Sequence, residues 1–175
     1  MMNLLVLSVS YFSRILNLLN QDQKCVQIVH EFDDLNYKFS IKKSSSKPQI
    51  LHNEFIAEMS TIDNILINHY KELEFSKINY FILSQDDIEI GYGSATEENG
   101  FMTIYELFVS PKYRELGFGT RIFNEIRKYT KSLDLKIRSV TLPSDRTGKN
   151  FYESNLITAR ALIMEEKREN SRYRP

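Results

Sequence analysis

One cysteine stands in a chain of 175 residues, Cys25. No disulfide can close within the chain, and a cysteine-based zinc cluster is excluded. A single thiol of this kind reads as a small buried hydrophobe. An excess of either charge is also missing, because 23 Lys and Arg balance 23 Asp and Glu. A general polyanion binder needs a basic surplus, so nucleic acid as such is not the expected partner. Long apolar runs are lacking too. The run from Leu4 to Phe12 is far shorter than the roughly 20 residues that cross a bilayer. With no positive stretch before it and no small-residue cleavage site after it, it reads as part of a core helix or strand, not as a signal peptide. No membrane partner is expected, and the cytoplasm is the expected location. The three histidines, His30, His52 and His69, have no metal-ligand spacing, and no metal is expected. His69 reads as a packing residue on an apolar helix face.

What is present is ordinary globular composition, 42% hydrophobic and 26% charged, enough for one domain with a real core. The zero net charge is unevenly spread. Residues 1–110 carry a balance of −7, residues 111–138 of +5 and residues 139–175 of +2. The short basic block reads either as a solvated helix face or as a local anion site.

Lys24–Phe32 and Tyr37–Lys43 read as two strands around an Asp33–Asn36 turn, followed by a loop at Ser44–Gln49. Apolar residues from Phe55 to Leu73 recur at helical spacing, with a possible break at Ser60–Asp63, where residues that favour caps gather. Residues 79–84, 88–96 and 101–109 form an antiparallel meander with an Asn99–Gly100 turn. Gly91 and Gly93 in its middle strand signal a bulge or a close backbone approach. Pro111 stops the third strand. A helix follows Gly119, with Ile122, Phe123, Ile126, Tyr129 and Thr130 on one face. Residues 136–142 read as a strand, 150–154 as a short helix and 159–165 as a last strand.

The informative segment runs from Glu106 to Thr120. A strand feeds a glycine-containing loop that starts a helix. The first helical N–H groups lack partners and the dipole is positive there, so such an end accepts phosphate. Gly117 and Gly119 let the backbone approach an anion closely, and Lys112, Arg114 and Arg121 add positive charge. A P-loop is excluded because no lysine follows Gly119, and a dinucleotide fingerprint because position 122 is isoleucine.

Arg114-Glu115-Leu116-Gly117-Phe118-Gly119, preceded by Val109-Ser110-Pro111, resembles motif A of the GCN5-related N-acetyltransferase (GNAT) superfamily, [QR]xxGx[GA] after a strand ending in V-x-P. Asn150–Ile157 is similar to that family's FYExLGF segment, and the element order over about residues 54–165 is similar as well. The resemblance implies an α+β fold, with a central mixed, mostly antiparallel sheet that splays in a V and is flanked by helices. It implies an acetyl-CoA-dependent N-acetyltransferase core over 54–165, with 1–53 an α/β extension packed on it and 166–175 a charged tail. It places the pantetheine arm against Leu107, Phe108 and Val109. The pyrophosphate falls on Arg114, Glu115, Leu116, Gly117, Phe118, Gly119 and Thr120. Three positions depart from the family: Asp145 and Gly148, where Asn and Ala are common, and Ile157, where Gly is common.

Acetyl transfer needs an amine freed of its proton, a polarised carbonyl and a proton for the leaving thiolate. Glu106, on the strand beside the expected thioester, is the candidate base, against an ordinary outward-facing glutamate. Strand alternation puts it with Phe108, opposite Leu107 and Val109. A backbone N–H near Leu107, freed by a bulge, is the candidate oxyanion donor. Tyr152, matched to the family's tyrosine, is the candidate acid, against a purely packing role. Glu54, Glu58, Asp63, Glu72 and Glu74 could rim the acceptor end with negative charge or simply face solvent. The expected partners are acetyl-CoA and a primary amine of a small molecule or protein, in a monomer or homodimer, with aminoacyl-tRNA an acceptor alternative. The rival class is a non-catalytic acyl-CoA-binding or interaction module.

Overall fold

Alternating segments between residues 79 and 109 pair as three antiparallel strands, and two earlier strands extend the same sheet. The computed structural model describes residues 27–34, 36–64 and 77–160. Its six strands lie in chain order: β1 (Gln27–Asp34), β2 (Tyr37–Ser44), β3 (Asn79–Gln85), β4 (Ile88–Glu98), β5 (Phe101–Val109) and β6 (Lys136–Ser139). The first five are antiparallel to their neighbours and β6 is parallel to β5. The helices are α1 (Gln49–Ile62), α2 (Phe118–Ser132) and α3 (Arg146–Ser154), with a 3-10 turn at Pro111–Tyr113. This is the α+β fold with a mixed, mostly antiparallel, splayed sheet that the sequence led us to expect.

The splay opens between β5 and β6. Their pairing covers only Phe101↔Lys136 to Ile104↔Ser139, with one further bond from Val140 N to Ile104 O at 3.0 Å. Residues 105–109 then have no partner strand on that side among the described residues. A register shift in the β4–β5 pairing leaves Tyr105 between Glu106, opposite Ser94, and Ile104, opposite Ala95. Such a bulge bends the strand and raises its local twist. The expected bulge near Leu107 is thus found two residues earlier. β6 is shorter than the expected 136–142 because it leaves the sheet where the splay begins.

Two apolar layers cover the sheet. On one face α2 packs Ile122, Phe123 and Ile126 onto Phe81, Leu83, Met102 and Ile104. Each fully buried side chain of this kind contributes about 1.5–3 kcal/mol. The glycines of β4 admit that helix. A Cβ on Gly93 would stand 2.7 Å from Ile126 Cδ1, and one on Gly91 2.9 Å from the Phe108 carbonyl oxygen. On the other face α1 lays Leu51 and Phe55 over Tyr80, Ile82, Tyr92 and Phe108.

Several boundaries move. α1 begins at Gln49, five residues before the expected start, because Pro48 occupies its N-cap instead of belonging to a loop. It ends at Ile62, as the cap-favouring residues indicated, and the remainder of the expected helix lies mostly outside the described residues. α3 starts at Arg146, not 150, capped by Asp145, whose Oδ1 accepts from Gly148 N at 2.8 Å. Ala159 and Arg160 are not in a strand, and 161–165 lie outside the described residues, as do Glu72, Glu74, His69 and Cys25. Among the described residues no helix is long and apolar enough to cross a membrane.

Candidate active site

A cavity of about 260 Å³ opens where β5 and β6 part. One wall is continuous in sequence: Tyr105, Leu107, Phe108 and Val109 from the open edge of β5, then Arg114, then Gly119 from the first turn of α2. The facing wall comes from Phe55, Glu58, Met59 and Ile62 of α1 and from segment 140–152, including Gly148, Phe151 and Tyr152.

The loop between β5 and α2 has the geometry the motif requires. Ser110 N donates to Ile90 O at 2.9 Å, which holds the strand end, and Pro111 starts the 3-10 turn. Gly117 caps α2 at φ 78°, a left-handed conformation natural to glycine. Glu115 is also left-handed, at φ 65°. No side chain caps α2, and its first intrahelical bond runs from Arg121 N to Gly117 O at 3.1 Å. The amides of Phe118, Gly119 and Thr120 therefore lie at the positive end of a 15-residue helix without helical acceptors. At Gly119 a Cβ would meet Phe151 at 3.4 Å and Val109 at 4.0 Å, ordinary contacts. Packing does not demand glycine there, yet its absent side chain keeps the cavity wall concave beside those amides. The residues present fit an extended thioester with a diphosphate.

The side chains differ from expectation. Arg114, expected to offer its charge to the loop, is latched. Its Nε donates to Val109 O at 2.9 Å, and its two terminal nitrogens donate to Glu58 at 2.9 and 2.5 Å. Ser110 Oγ donates to Glu54 at 3.1 Å. Glu54 and Glu58 thus hold α1 against the loop, where the sequence had offered them as an acceptor rim. Arg121 turns to β1, 3.8 Å from Asp34 and 4.1 Å above the Phe32 ring. Leu116 and Lys112 are exposed. Phe118 is buried against Phe39 with ring centres 5.0 Å apart, so its side chain is structural while its amide faces the helix entrance.

Glu106 is buried, so it is not an outward-facing strand residue. As alternation predicts, it shares its sheet face with Phe108, while Leu107 and Val109 pack toward α2. Its Oε1 lies 3.3 Å from His52 Nδ1. That atom is also 3.3 Å from Tyr92 Oη. This cluster does not line the cavity. It stands behind Phe55 and Phe108, which do, and which pack on the His52 and Tyr92 rings respectively. Burial, then the nearby Glu106 carboxylate, push the Tyr80 hydroxyl up to about 12. His52 is the residue that sequence reasoning missed. Its i, i+3 and i+7 spacing to Phe55 and Met59 was the available signal, hidden by starting the helix at 54.

Tyr152 lines the cavity yet is almost wholly buried among aromatics, 6.2 Å from Phe123 and 5.5 Å from Phe151 between ring centres. Burial, reinforced by Asp145, pushes its hydroxyl well above the ordinary tyrosine range, so it stays protonated. Asp145 is occupied as the α3 cap, and Gly148 is glycine because a Cβ there would run into the Asp145 carboxylate. The departures at Asp145 and Gly148 therefore form one local unit. On the cavity's other side Tyr105 Oη donates to Glu98 at 2.7 Å, and Arg138 bridges Glu98 and Thr103, both at 2.7 Å. Burial alone would raise the Glu98 carboxyl, but bonds from Tyr105, Arg138 and Thr103, with the Arg138 charge, hold it below its ordinary value.

Similar folds recur among solved structures. One is aminoglycoside N-acetyltransferase AAC(6')-Iy in complex with CoA, at 13% identity and TM-score 0.53, covering 79% of this chain and 99% of that one. Another is an aminoglycoside acetyltransferase from an uncultured soil metagenomic sample, at 15% identity and TM-score 0.55, covering 76% and 97%. A third is a possible acetyltransferase from Clostridium difficile 630, at 20% identity and TM-score 0.53, covering 73% and 97%. No curated protein matches the sequence. Residues 54–155 match the family described as the Acetyltransferase (GNAT) domain, which is more than half of the chain. With its splayed sheet and its strand-loop-helix corner, the chain belongs to the GNAT acetyltransferase family.

Proposed function

We propose that the protein transfers an acetyl group from acetyl-CoA to a primary amine of a small molecule or protein. The observation that carries this reading is the open edge of β5 meeting the first turn of α2 at Gly119, where no side chain caps the helix, inside one cavity. Leu107, Phe108 and Val109 would align the pantetheine arm. The amides from Leu116 to Thr120 would take the pyrophosphate, helped by Arg114 and by the turn at Glu115 and Gly117. Acetyl-CoA, when bound, supplies an activated acyl group and a thiol as leaving group. Glu106 acts as base through intervening water, because its carboxylate stands behind the cavity wall. Tyr152, held protonated, is the donor toward the departing sulfur. Solved neighbours support both substrate classes, since one is described in complex with CoA and another with sisomicin. The two strands before the matched region extend its sheet, which supports 1–53 as an extension packed on a 54–165 core.

The test begins with acetyl-CoA binding by calorimetry. Thiol release is then followed with kanamycin, spermidine, tyramine and a lysine-containing peptide as acceptors. Binding with amine-dependent thiol release is expected. No binding at millimolar acetyl-CoA overturns the reading. The burial of Tyr152 and the retreat of Glu106 from the cavity favour a second reading, an acyl-CoA-binding module without turnover. Binding with no thiol release from any acceptor would select it.

A further inference from the structure

Among the described residues, His52 is the one histidine beside the candidate site, and its surroundings point to its hydrogen-bonding role. Its side chain is 15% exposed and that of Glu106 8%. The ionisable groups facing it are Glu106 from β5, Tyr92 from β4 and Lys47 from the loop before α1, with Tyr80 of β3 behind Tyr92. Lys47 Nζ lies 3.4 Å from Nε2. A lysine ammonium donates and cannot accept. Nε2 is therefore the acceptor and the ring hydrogen belongs on Nδ1. That hydrogen faces Glu106 Oε1 and Tyr92 Oη, each 3.3 Å from Nδ1.

Resting on the reading of Glu106 as base, we propose that His52 is its positioning residue, its Nδ1–H holding the Glu106 carboxylate in place. α1 anchors the ring through Leu51 and Phe55, which pack on the same sheet face. The same helix is fastened to the donor loop by Glu54 and Glu58. One element thus sets both the base and the cofactor corner, a fixed relation that proton transfer requires, since a misplacement of about 1 Å can cost about 100-fold in rate.

The test uses three variants of the full-length protein. Asn places an amide N–H near the former Nδ1, and Gln places it near the former Nε2. His52→Asn should stay within about 3-fold of the wild-type kcat, while His52→Gln and His52→Ala should fall about 10–100-fold, with KM for acetyl-CoA unchanged. Thiol release is measured with tyramine, and with water alone as acceptor. Independently of turnover, ¹⁵N NMR of the wild-type imidazole should show a protonated Nδ1 and an unprotonated Nε2. An Nε2–H tautomer overturns the proposal. Equal losses in all three variants, with lowered Tm, also overturn it and reduce His52 to packing. A Glu106→Gln variant separates the two layers. If it is impaired while His52→Gln is not, only the positioning role falls. If it matches wild type, the base assignment falls and the positioning role with it.

Discussion

The two walls of the cavity are built in opposite ways. The β5–α2 wall is one uninterrupted stretch, and its chemistry lives in the backbone: an open strand edge, a left-handed Gly117, and amides at a helix start. The α1–α3 wall joins segments far apart in sequence, and its chemistry lives in side chains such as Glu58, Met59, Asp145 and Tyr152. Local backbone geometry is written in adjacent residues, so the first wall is readable before folding. The second exists only after tertiary packing brings its parts together. Each prediction below tests whether that division of labour holds.

The largest expected effect is on the backbone wall. Gly119→Val places a branched side chain into the concavity beside the helix amides, where the Cβ itself meets no more than an ordinary contact with Phe151. CoA affinity should fall about 100-fold or more, while circular dichroism and urea midpoint remain close to wild type. Retained affinity in a folded variant would show that the wall does not work through its backbone.

The next effect is on stability. Gly91 and Gly93 let α2 approach the sheet and so fix where its N-terminus sits. A Cβ at Gly91 meets a backbone oxygen, whereas at Gly93 it meets the end of the flexible Ile126 side chain. Overpacking of this kind costs about 1–3 kcal/mol. Gly91→Ala should sit at the upper end and Gly93→Ala at the lower, read as urea midpoints. The reverse order would mean that the strand yields more easily than the helix.

These positions also show what was legible. The glycines of β4, the stop at Pro111 and the period of α2 announced themselves, because each is a local constraint. The meander and the helix after it were placed within a few residues for the same reason. What escaped was set by non-local contacts. β6 stops at Ser139 because β5 bends away, which nothing in 136–142 encodes. α1 starts at Gln49 because Pro48 caps it, though Pro48 sits among loop-like serines. Glu54 and Glu58 look like solvent-facing acids until Ser110 and Arg114, 56 residues later, meet them. His52 became meaningful only against Glu106 and Tyr92, on two other elements.

A smaller effect probes the join between the walls. The Arg114–Glu58 side chains are 40% and 34% exposed, so the pair should contribute less than about 1 kcal/mol to stability. Its role is to direct charge. Glu58→Gln should release the Arg114 guanidinium toward the cavity and tighten CoA about 3-fold, a change of under 1 kcal/mol. Arg114→Ala should weaken CoA, and the double variant should resemble Arg114→Ala alone. Weaker binding by Glu58→Gln would instead mean that Glu58 acts by fixing the loop.

The smallest effect concerns the rim of the splay, where Tyr105 donates to Glu98. Glu98 is held below its ordinary value of 4.5. A carboxyl depressed in the folded state stabilises the protein above its unfolded value, and that stability is lost as pH falls through the folded value. Tyr105→Phe removes one of the bonds responsible. At pH 7 it should cost about 1.5 kcal/mol, the low end for a bond to a charged group. Below pH 4.5 the difference should shrink, because the wild-type carboxyl protonates and its bonds lose charge assistance. On the alkaline side Tyr105 itself, raised to about 12 by burial and then by Glu98, contributes stability that is lost as pH climbs from about 10 toward 12. The variant lacks that hydroxyl, so the two curves should converge there also. The measurement is urea-unfolding stability against pH for both proteins, with the widest gap in the neutral range. Curves that stay parallel into acid would show that Glu98 is held by Arg138 and Thr103 without help from Tyr105. The rim would then resemble the side-chain wall less, and the bulge that presents Tyr105 to the cavity would owe nothing to this bond.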